Sequence, residues 1–336
     1  MTRFSQKIRR LAKRIGLGSA IVQFGVSGRP RPIVVVWKLT GRCNLACPHC
    51  DQRSIRDSAE LDGPEALGLI DQMAASGVRV VSITGGEPLL RPDIGLIVQR
   101  ILHHSMVCKL NSNGLRLGAC LDDLKGLDLL QLSMDGPRDI HDQVRGRGSF
   151  DAVVEAVKMA RAAGIPTHLV CVLNRFNSLR LDETLECARN LGVRIQFQPM
   201  VQTPESEDGY ALHRPEREVL VAAFRHLLAV KEQGDALAGT LKNSPSELRY
   251  YLEYAQDGQG PVGCSLVMAT LEPDGRMSFC GRASDVETYD TATLGFSSAF
   301  SRLRIPHCEG CSCIGRLRFS KLCRLEPAAF LEAMRD

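Results

Sequence analysis

No run of the roughly 20 apolar residues needed to span a membrane as a helix occurs in the 336 residues. The basic N-terminus is not followed by the unbroken apolar stretch of about 7–15 residues that marks a secretory signal. With neither feature, the expected location is cytoplasmic, with a peripheral membrane contact as the alternative. Acidic residues are missing from the first fifty positions, which hold ten Lys or Arg. The whole chain carries only +4, so the basic character is local and no nucleic-acid partner is expected. Tyrosine is scarce at five, and Tyr250, Tyr251 and Tyr254 fall together at helical spacing, which reads as core. A hydrophobic share of 44% and a charged share of 24% suit a soluble globular chain, long enough for one large unit and a small one.

Cysteine, by contrast, is plentiful. Thirteen are present, and in a reducing compartment they do not suggest a disulfide framework. Cys43, Cys47 and Cys50 form C-x3-C-x2-C, and Cys264, Cys280, Cys308, Cys311, Cys313 and Cys323 crowd the end. Cys108, Cys120, Cys171 and Cys187 lie among apolar residues and read as core thiols. A hydrogen-atom donor among Cys108, Cys171 and Cys187 is the minor alternative.

The N-terminal segment 2–16 places Phe4, Ile8, Leu11 and Ile15 at helical spacing with basic residues on the other faces, and Gly16 and Gly18 are expected to end it. It reads as a surface helix covering the domain, or else as one lying on an anionic membrane surface or a partner. Six short β-branched or apolar runs follow, at 33–39, 79–84, 107–111, 129–134, 167–173 and 194–199, with helix-like segments between them. Ser149 is the expected N-cap of the helix over 149–163. Strands alternating with helices imply a parallel sheet, and six units imply an α/β fold of partial (β/α)6 TIM type. Chemistry in such a fold belongs at the C-terminal ends of the strands. The expected divisions are an N-terminal helix at 1–30, a barrel at 31–234, a helical bridge at 235–262 and a small cysteine-rich module at 263–336. That module has too little core to hold itself without metal.

The three opening cysteines fall one short of a closed zinc site. Iron–sulfur clusters also take thiolates, usually four. A [4Fe–4S] cluster on three would leave one iron open to a ligand. A structural zinc site in an ordinary α/β domain is the competing reading.

Other motifs then line up with the strands. "ITGGEP" (83–88) follows the second strand and "NSNG" (111–114) the third. "LSMDG" (132–136) follows the fourth, with "HDQVRG" (141–146) soon after. With the cysteine motif after the first strand, this set resembles the radical SAM enzymes over residues 33–200. The resemblance implies a [4Fe–4S] cluster on Cys43, Cys47 and Cys50, with S-adenosylmethionine on the open iron. It implies Gly85, Gly86, Glu87 and Pro88 near the methionyl amine, and Ser133 and Arg145 near the carboxylate or ribose. Asn111, Asn113 and Asp135, in the same motifs, join the expected cofactor-binding set. His49 stands where the family often has Tyr or Phe against the adenine. The physics agrees, since glycine allows close approach to a ligand and a carboxylate suits an ammonium.

Cys264, ten residues, Gly275, four residues and Cys280 resemble the start of the SPASM and twitch modules that follow many such barrels. Asp274-Gly275 suits the turn of a hairpin between the two cysteines. Cys308 and Cys311 would complete one auxiliary iron–sulfur cluster. Cys313 and Cys323 depart from the full pattern, leaving six cysteines where seven are expected, so one auxiliary cluster or two remain open, as does a zinc ribbon. Glu272 and Asp274 read as hairpin surface residues, with proton acceptance the alternative. No catalytic residue is assigned.

The resemblance implies reductive cleavage of S-adenosylmethionine to a 5′-deoxyadenosyl radical that abstracts a substrate hydrogen. An electron donor such as flavodoxin or ferredoxin is then implied. A peptide-modifying maturase (crosslink, epimerisation or oxidation) is the leading expectation. About thirty residues precede the first strand, too few for a peptide-recognition domain, which weakens that expectation without removing it. The alternatives are an enzyme of a sugar, aminocyclitol, tetrapyrrole or lipid precursor, and a zinc-stabilised binding protein.

Overall fold

Trp37 shows how the first strand is built. In β1 (Val34–Thr40) the alternate residues Val35, Trp37 and Leu39 are fully buried against helices, while Val36 and Lys38 face the other way and are half-buried. The same alternation recurs in β2 (Val80–Gly85), β3 (Val107–Ser112), β4 (Leu129–Ser133), β5 (Thr167–Leu173) and β6 (Ile195–Pro199). All are parallel to their neighbours, with Trp37 opposite Ile83, Ile83 opposite Leu110 and Leu110 opposite Leu130. The chain is described here by a computed structural model over residues 3–50, 58–201, 207–257, 266–280, 286–305 and 313–326.

Helices between the strands cover the outer face. The helix Gly63–Ala75 starts on a capping box, in which the Asp62 side chain accepts from the Glu65 amide and Glu65 from the Asp62 amide, each at 2.8 Å. The helix Ser149–Ala162 is capped differently from expectation. Ser149 is already helical, and the carboxylate of Asp142 accepts the Gly148 and Phe150 amides at 2.9 and 2.8 Å. Tyr250 and Tyr251 are buried on the helix Pro245–Asp257, as their spacing suggested.

The sheet does not stop at six strands. β7 (Met268–Leu271) pairs parallel with β1, setting Val34 opposite Met268 and Trp37 opposite Leu271. It then turns through Asp274 and Gly275, whose φ of +81° favours glycine, into antiparallel β8 (Arg276–Ser278), followed by β9 (Thr288–Asp290). Among the described residues the order is β6-β5-β4-β3-β2-β1-β7-β8-β9, an open mixed sheet in an α/β fold that does not close into a barrel. At the far end the β6 edge is covered by the segment after the helix Ala236–Thr240. The side chain of Asn243 takes both the amide and the carbonyl of Phe197, at 2.8 and 2.9 Å.

The N-terminal helix is longer than expected. It runs Arg3–Ser27, straight through Gly16 and Gly18. Helix-ending glycine is a local preference, and here tertiary burial overrides it. Ala20 and Ile21 are packed with Ile33, Val34, Val80, Val267, Met268, Leu322 and Cys323, a cluster at the N-terminal ends of β1 and β2. Nearer its start, Lys13 is buried and its ammonium sits 2.5 Å from the Asp128 carboxylate just before β4. The helix therefore lies across the end of the sheet away from the expected site. No described helix is long and apolar enough to cross a membrane.

Candidate functional site

The C-terminal ends of all six parallel strands open into one cleft of about 240 Å³. Cys43, Cys47, His49 and Cys50 line it from the loop after β1, and Gly85, Gly86 and Glu87 from the end of β2. Asn111 and Asn113 line it from β3 and Ser133 from β4, while Arg145 reaches in from the helix Arg138–Arg145. Of the residues expected at the cofactor, only Pro88 and Asp135 are not on this wall. The sequence reading missed Gln131, Val170, Val172, Gln198 and Met200, which also line it. The strand ends of β5 and β6 carry no glycine or charged motif, so only the alternation of side chains pointed to them.

The glycines line the cleft and also act on the chain. A Cβ on Gly86 would stand 2.2 Å from the Arg42 carbonyl oxygen, and one on Gly85 2.5 Å from that of Thr40. In the space this leaves, the Gly86 amide donates to the Thr40 carbonyl and the Glu87 amide to that of Arg42, both at 2.8 Å. The end of β2 thus clamps the backbone that leads directly into Cys43.

Glu87 extends the clamp. Its buried carboxylate accepts the Leu89 amide at 3.0 Å, the Ser112 hydroxyl at 2.9 Å and the Asn113 amide at 2.8 Å. Burial pushes its pKa upward, against those three hydrogen bonds. A carboxylate has about four acceptor positions, so about one remains for a donor in the cleft. The side chain of Asn113 in turn donates to that of Asn44 in the cysteine loop at 2.8 Å. Asn111 is held by donating to the Ile83 carbonyl at 3.0 Å. Pro88 opens a buried 3-10 turn behind Glu87.

Behind the thiols lies a buried ion pair. Arg145 Nε donates to Asp135 Oδ2 at 2.6 Å, with side chains 11% and 0% exposed. Burial alone would raise the Asp135 carboxyl. The Arg145 guanidinium, with His49 and His141 nearby, turns the shift downward. Burial pushes the Cys47 thiol up, and Arg145 opposes that. Asp135 Oδ1 and His141 Nε2 are buried with no hydrogen-bond partner, so the layer behind the thiols retains polar capacity.

These residues fit a cluster with a charged organic ligand. Three thiols share the cleft, Arg145 favours the deprotonated form of Cys47, and the remaining polar wall of Asn, Gln and Ser suits a zwitterion. Among the described residues no three His, Cys, Asp or Glu side chains are already gathered around a single metal position.

The other cysteines divide into groups. Cys264, Cys308 and Cys311 lie outside the described residues. Cys280 follows β8, and Cys313 immediately precedes the helix Ile314–Cys323. These two are on neighbouring segments, because Arg316 donates to the Phe279 carbonyl and stacks 4.3 Å over the Phe279 ring. Cys323 is at the other end of that helix, about 15 Å further along at the usual rise per residue. It is 4% exposed among the residues under the N-terminal helix, and burial raises its pKa to about 11. Cys108 and Cys171 are fully buried thiols whose pKa burial also raises. Neither is on the cleft wall. Glu272 pairs with Lys38 of β1 at 2.9 Å, and Asp274 accepts the Arg276 amide within its turn at 3.0 Å.

Comparison with known proteins places this geometry. The family model described as the Radical SAM superfamily matches residues 37–188. The mycofactocin maturase MftC of Mycobacterium tuberculosis (strain ATCC 25618 / H37Rv) is 32% identical over 212 residues, which is 61% of this chain and 54% of that protein. The chain therefore spans about half the length of that relative. The PqqA peptide cyclase of Ruegeria pomeroyi is 32% identical over 269 residues, 76% of this chain and 70% of that protein. In fold, Streptococcus suis SuiB bound to S-adenosylmethionine superposes with a TM-score of 0.62 at 15% identity, over 78% of this chain and 64% of that one. A family match that starts in β1, just before the cysteine loop, and a relative aligned along most of its length, settle the affiliation: this chain belongs to the radical SAM superfamily.

Proposed function

We propose that the chain is a radical SAM enzyme acting on a peptide, with Cys43, Cys47 and Cys50 holding a [4Fe–4S] cluster and S-adenosylmethionine in the strand-end cleft. Together the two would supply a 5′-deoxyadenosyl radical able to remove a substrate hydrogen. The chain's own residues position and shield that chemistry. Gly85, Gly86 and Glu87 fix the approach of the cysteine loop. Glu87 offers its last acceptor position to the ligand's amine, and Ser133, Asn111 and Arg145 face the rest of it. Val170, Val172 and Met200 close the β5 and β6 side with apolar surface that keeps water out. Asp135 holds Arg145 against the thiols.

The observation that carries this reading is the convergence of three thiols and these strand-end motifs on one cleft. The peptide substrate is supported by the 70% of the PqqA peptide cyclase that the alignment spans. Which modification follows, and whether flavodoxin or ferredoxin donates the electron, belong to the same proposal. Cys264, Cys280, Cys308, Cys311 and Cys313 are proposed to hold an auxiliary cluster, and Cys323 to be a packing residue.

The test is anaerobic reconstitution with iron and sulfide, then S-adenosylmethionine and a reductant. 5′-Deoxyadenosine should form, and Cys43→Ala, Cys47→Ala or Cys50→Ala should abolish it. Zinc in place of iron, or no deoxyadenosine, overturns the enzyme. Product on a tetrapyrrole or sugar, and none on a short peptide encoded beside this gene, replaces the substrate class while leaving the enzyme standing.

A further inference from the structure

The N-terminal helix Arg3–Ser27 has two apolar faces, and the sheet uses only one of them. Lys13, Leu17, Ala20, Ile21 and Phe24 pack toward the N-terminal strand ends. On the opposite side Ile8, Leu11, Ile15, Val22 and Val26 are 45 to 78% exposed. At 3.6 residues per turn these five fall within an arc of about 60° and run for about 27 Å. Five aliphatic side chains in a line are more than the scattered exposure any surface tolerates.

Charge selects the occupant. The helix contains no acidic residue. Of its described cations, Lys13 is paired with Asp128, while Arg9, Arg10 and Arg14 are in no ion pair among the described residues. One buried guanidinium nitrogen of Arg9 has no hydrogen-bond partner. Arg9 and Arg10 also line a cavity of about 400 Å³ at this end, with Lys125 and with Asp128 as its acid. A second copy docked stripe to stripe would set the two basic helices side by side and be repelled. An anionic surface with an apolar interior matches both the stripe and the cations beside it.

We infer that this helix is a peripheral anchor that docks the protein on an anionic phospholipid bilayer, the stripe entering the interface and Arg14 at its flank reaching the headgroups. The stripe faces away from the sheet and the cleft opens at the other end. The docked enzyme thus presents its cleft to the aqueous side, and its substrate arrives from water rather than from the lipid.

The experiment is co-sedimentation of the full-length protein with phosphatidylglycerol-containing vesicles and with pure phosphatidylcholine vesicles. Wild-type protein should pellet with the first and not the second. Arg14→Glu, which reverses one charge at the flank of the stripe, should weaken binding by about thirtyfold. Ile8→Gln with Leu11→Gln and Ile15→Gln should abolish it. Circular dichroism melting of each variant keeps unfolding separate from lost binding. Failure of wild type to pellet at low salt overturns the inference. So does equal binding of the folded Gln variant, or a wild-type dimer in ultracentrifugation that the Gln variant dissolves.

Discussion

Gly86→Ala is the most direct probe of how the cysteine loop is held. The added methyl would stand 2.2 Å from the Arg42 carbonyl oxygen, 2.7 Å from its carbon and 2.8 Å from the Gly41 oxygen. All three neighbours are backbone, so no side chain can rotate away. Restoring ordinary contact requires the loop to move by about 1 Å, and overpacking of that size costs about 1–3 kcal/mol. Movement also lengthens the 2.8 Å bonds from the Gly86 and Glu87 amides, each worth about 0.5–1.5 kcal/mol. The expected total is about 2–6 kcal/mol, concentrated on the two residues before Cys43. Thermal unfolding should fall accordingly, and iron bound after reconstitution should drop well below three-quarters of the wild-type amount. Gly68→Ala is the matched control. It lies in the helix Gly63–Ala75 with nothing within 4 Å of its added carbon, and should stabilise by about 0.5–1 kcal/mol. A Gly86→Ala protein with wild-type iron content and melting temperature would refute the clamp.

Asp135→Asn should destabilise by about 3–5 kcal/mol in urea unfolding at pH 7, because it leaves Arg145 buried without its counter-charge. The folded carboxyl is shifted down, so its stabilisation is complete above the unfolded value of about 3.9 and is lost as pH falls through the lower folded value. The gap between wild type and Asp135→Asn should therefore narrow only below about pH 4, and a constant gap down to pH 2 contradicts the assignment. Cys323→Ala should cost about 1–2 kcal/mol as a small core deletion and leave bound iron unchanged. Cys280→Ala should lower iron content, and equal iron loss in both variants would put Cys323 among the ligands.

The strands β1 to β6 were legible as short β-branched or apolar runs, and the first four are followed by a glycine-bearing motif such as Gly85-Gly86 or Gly136. The cleft was legible from the same motifs, since parallel strands bring their C-terminal ends together. What escaped was mostly non-local. Nothing near residue 268 announces that it will pair with Val34. Nothing at Gly16 or Gly18 reveals that Ala20 and Ile21 will be buried far enough to carry the helix past them. Gly86 was read as room for a ligand, and its closeness to the carbonyl of Arg42 was not foreseen. A sequence shows that a close approach is needed, and the fold decides to what. Gln131, Gln198 and Met200 escaped because they are ordinary residues that alternation alone turns inward.

The pairing of β7 with β1 has a consequence for how the protein is made. β1 is flanked on one side by β2 and on the other by a strand encoded more than two hundred residues later. At about 5–20 residues per second, a ribosome needs roughly 10–50 s to travel from one to the other. Throughout that interval β1, which leads into the cysteine loop, has an open hydrogen-bonding edge rich in β-branched residues, the kind of edge that pairs with other chains. Final closure also depends on contacts of high sequence separation, which form slowly. Newborn chains should therefore need protection from a chaperone, and overproduction without one should yield aggregates that trace to β1.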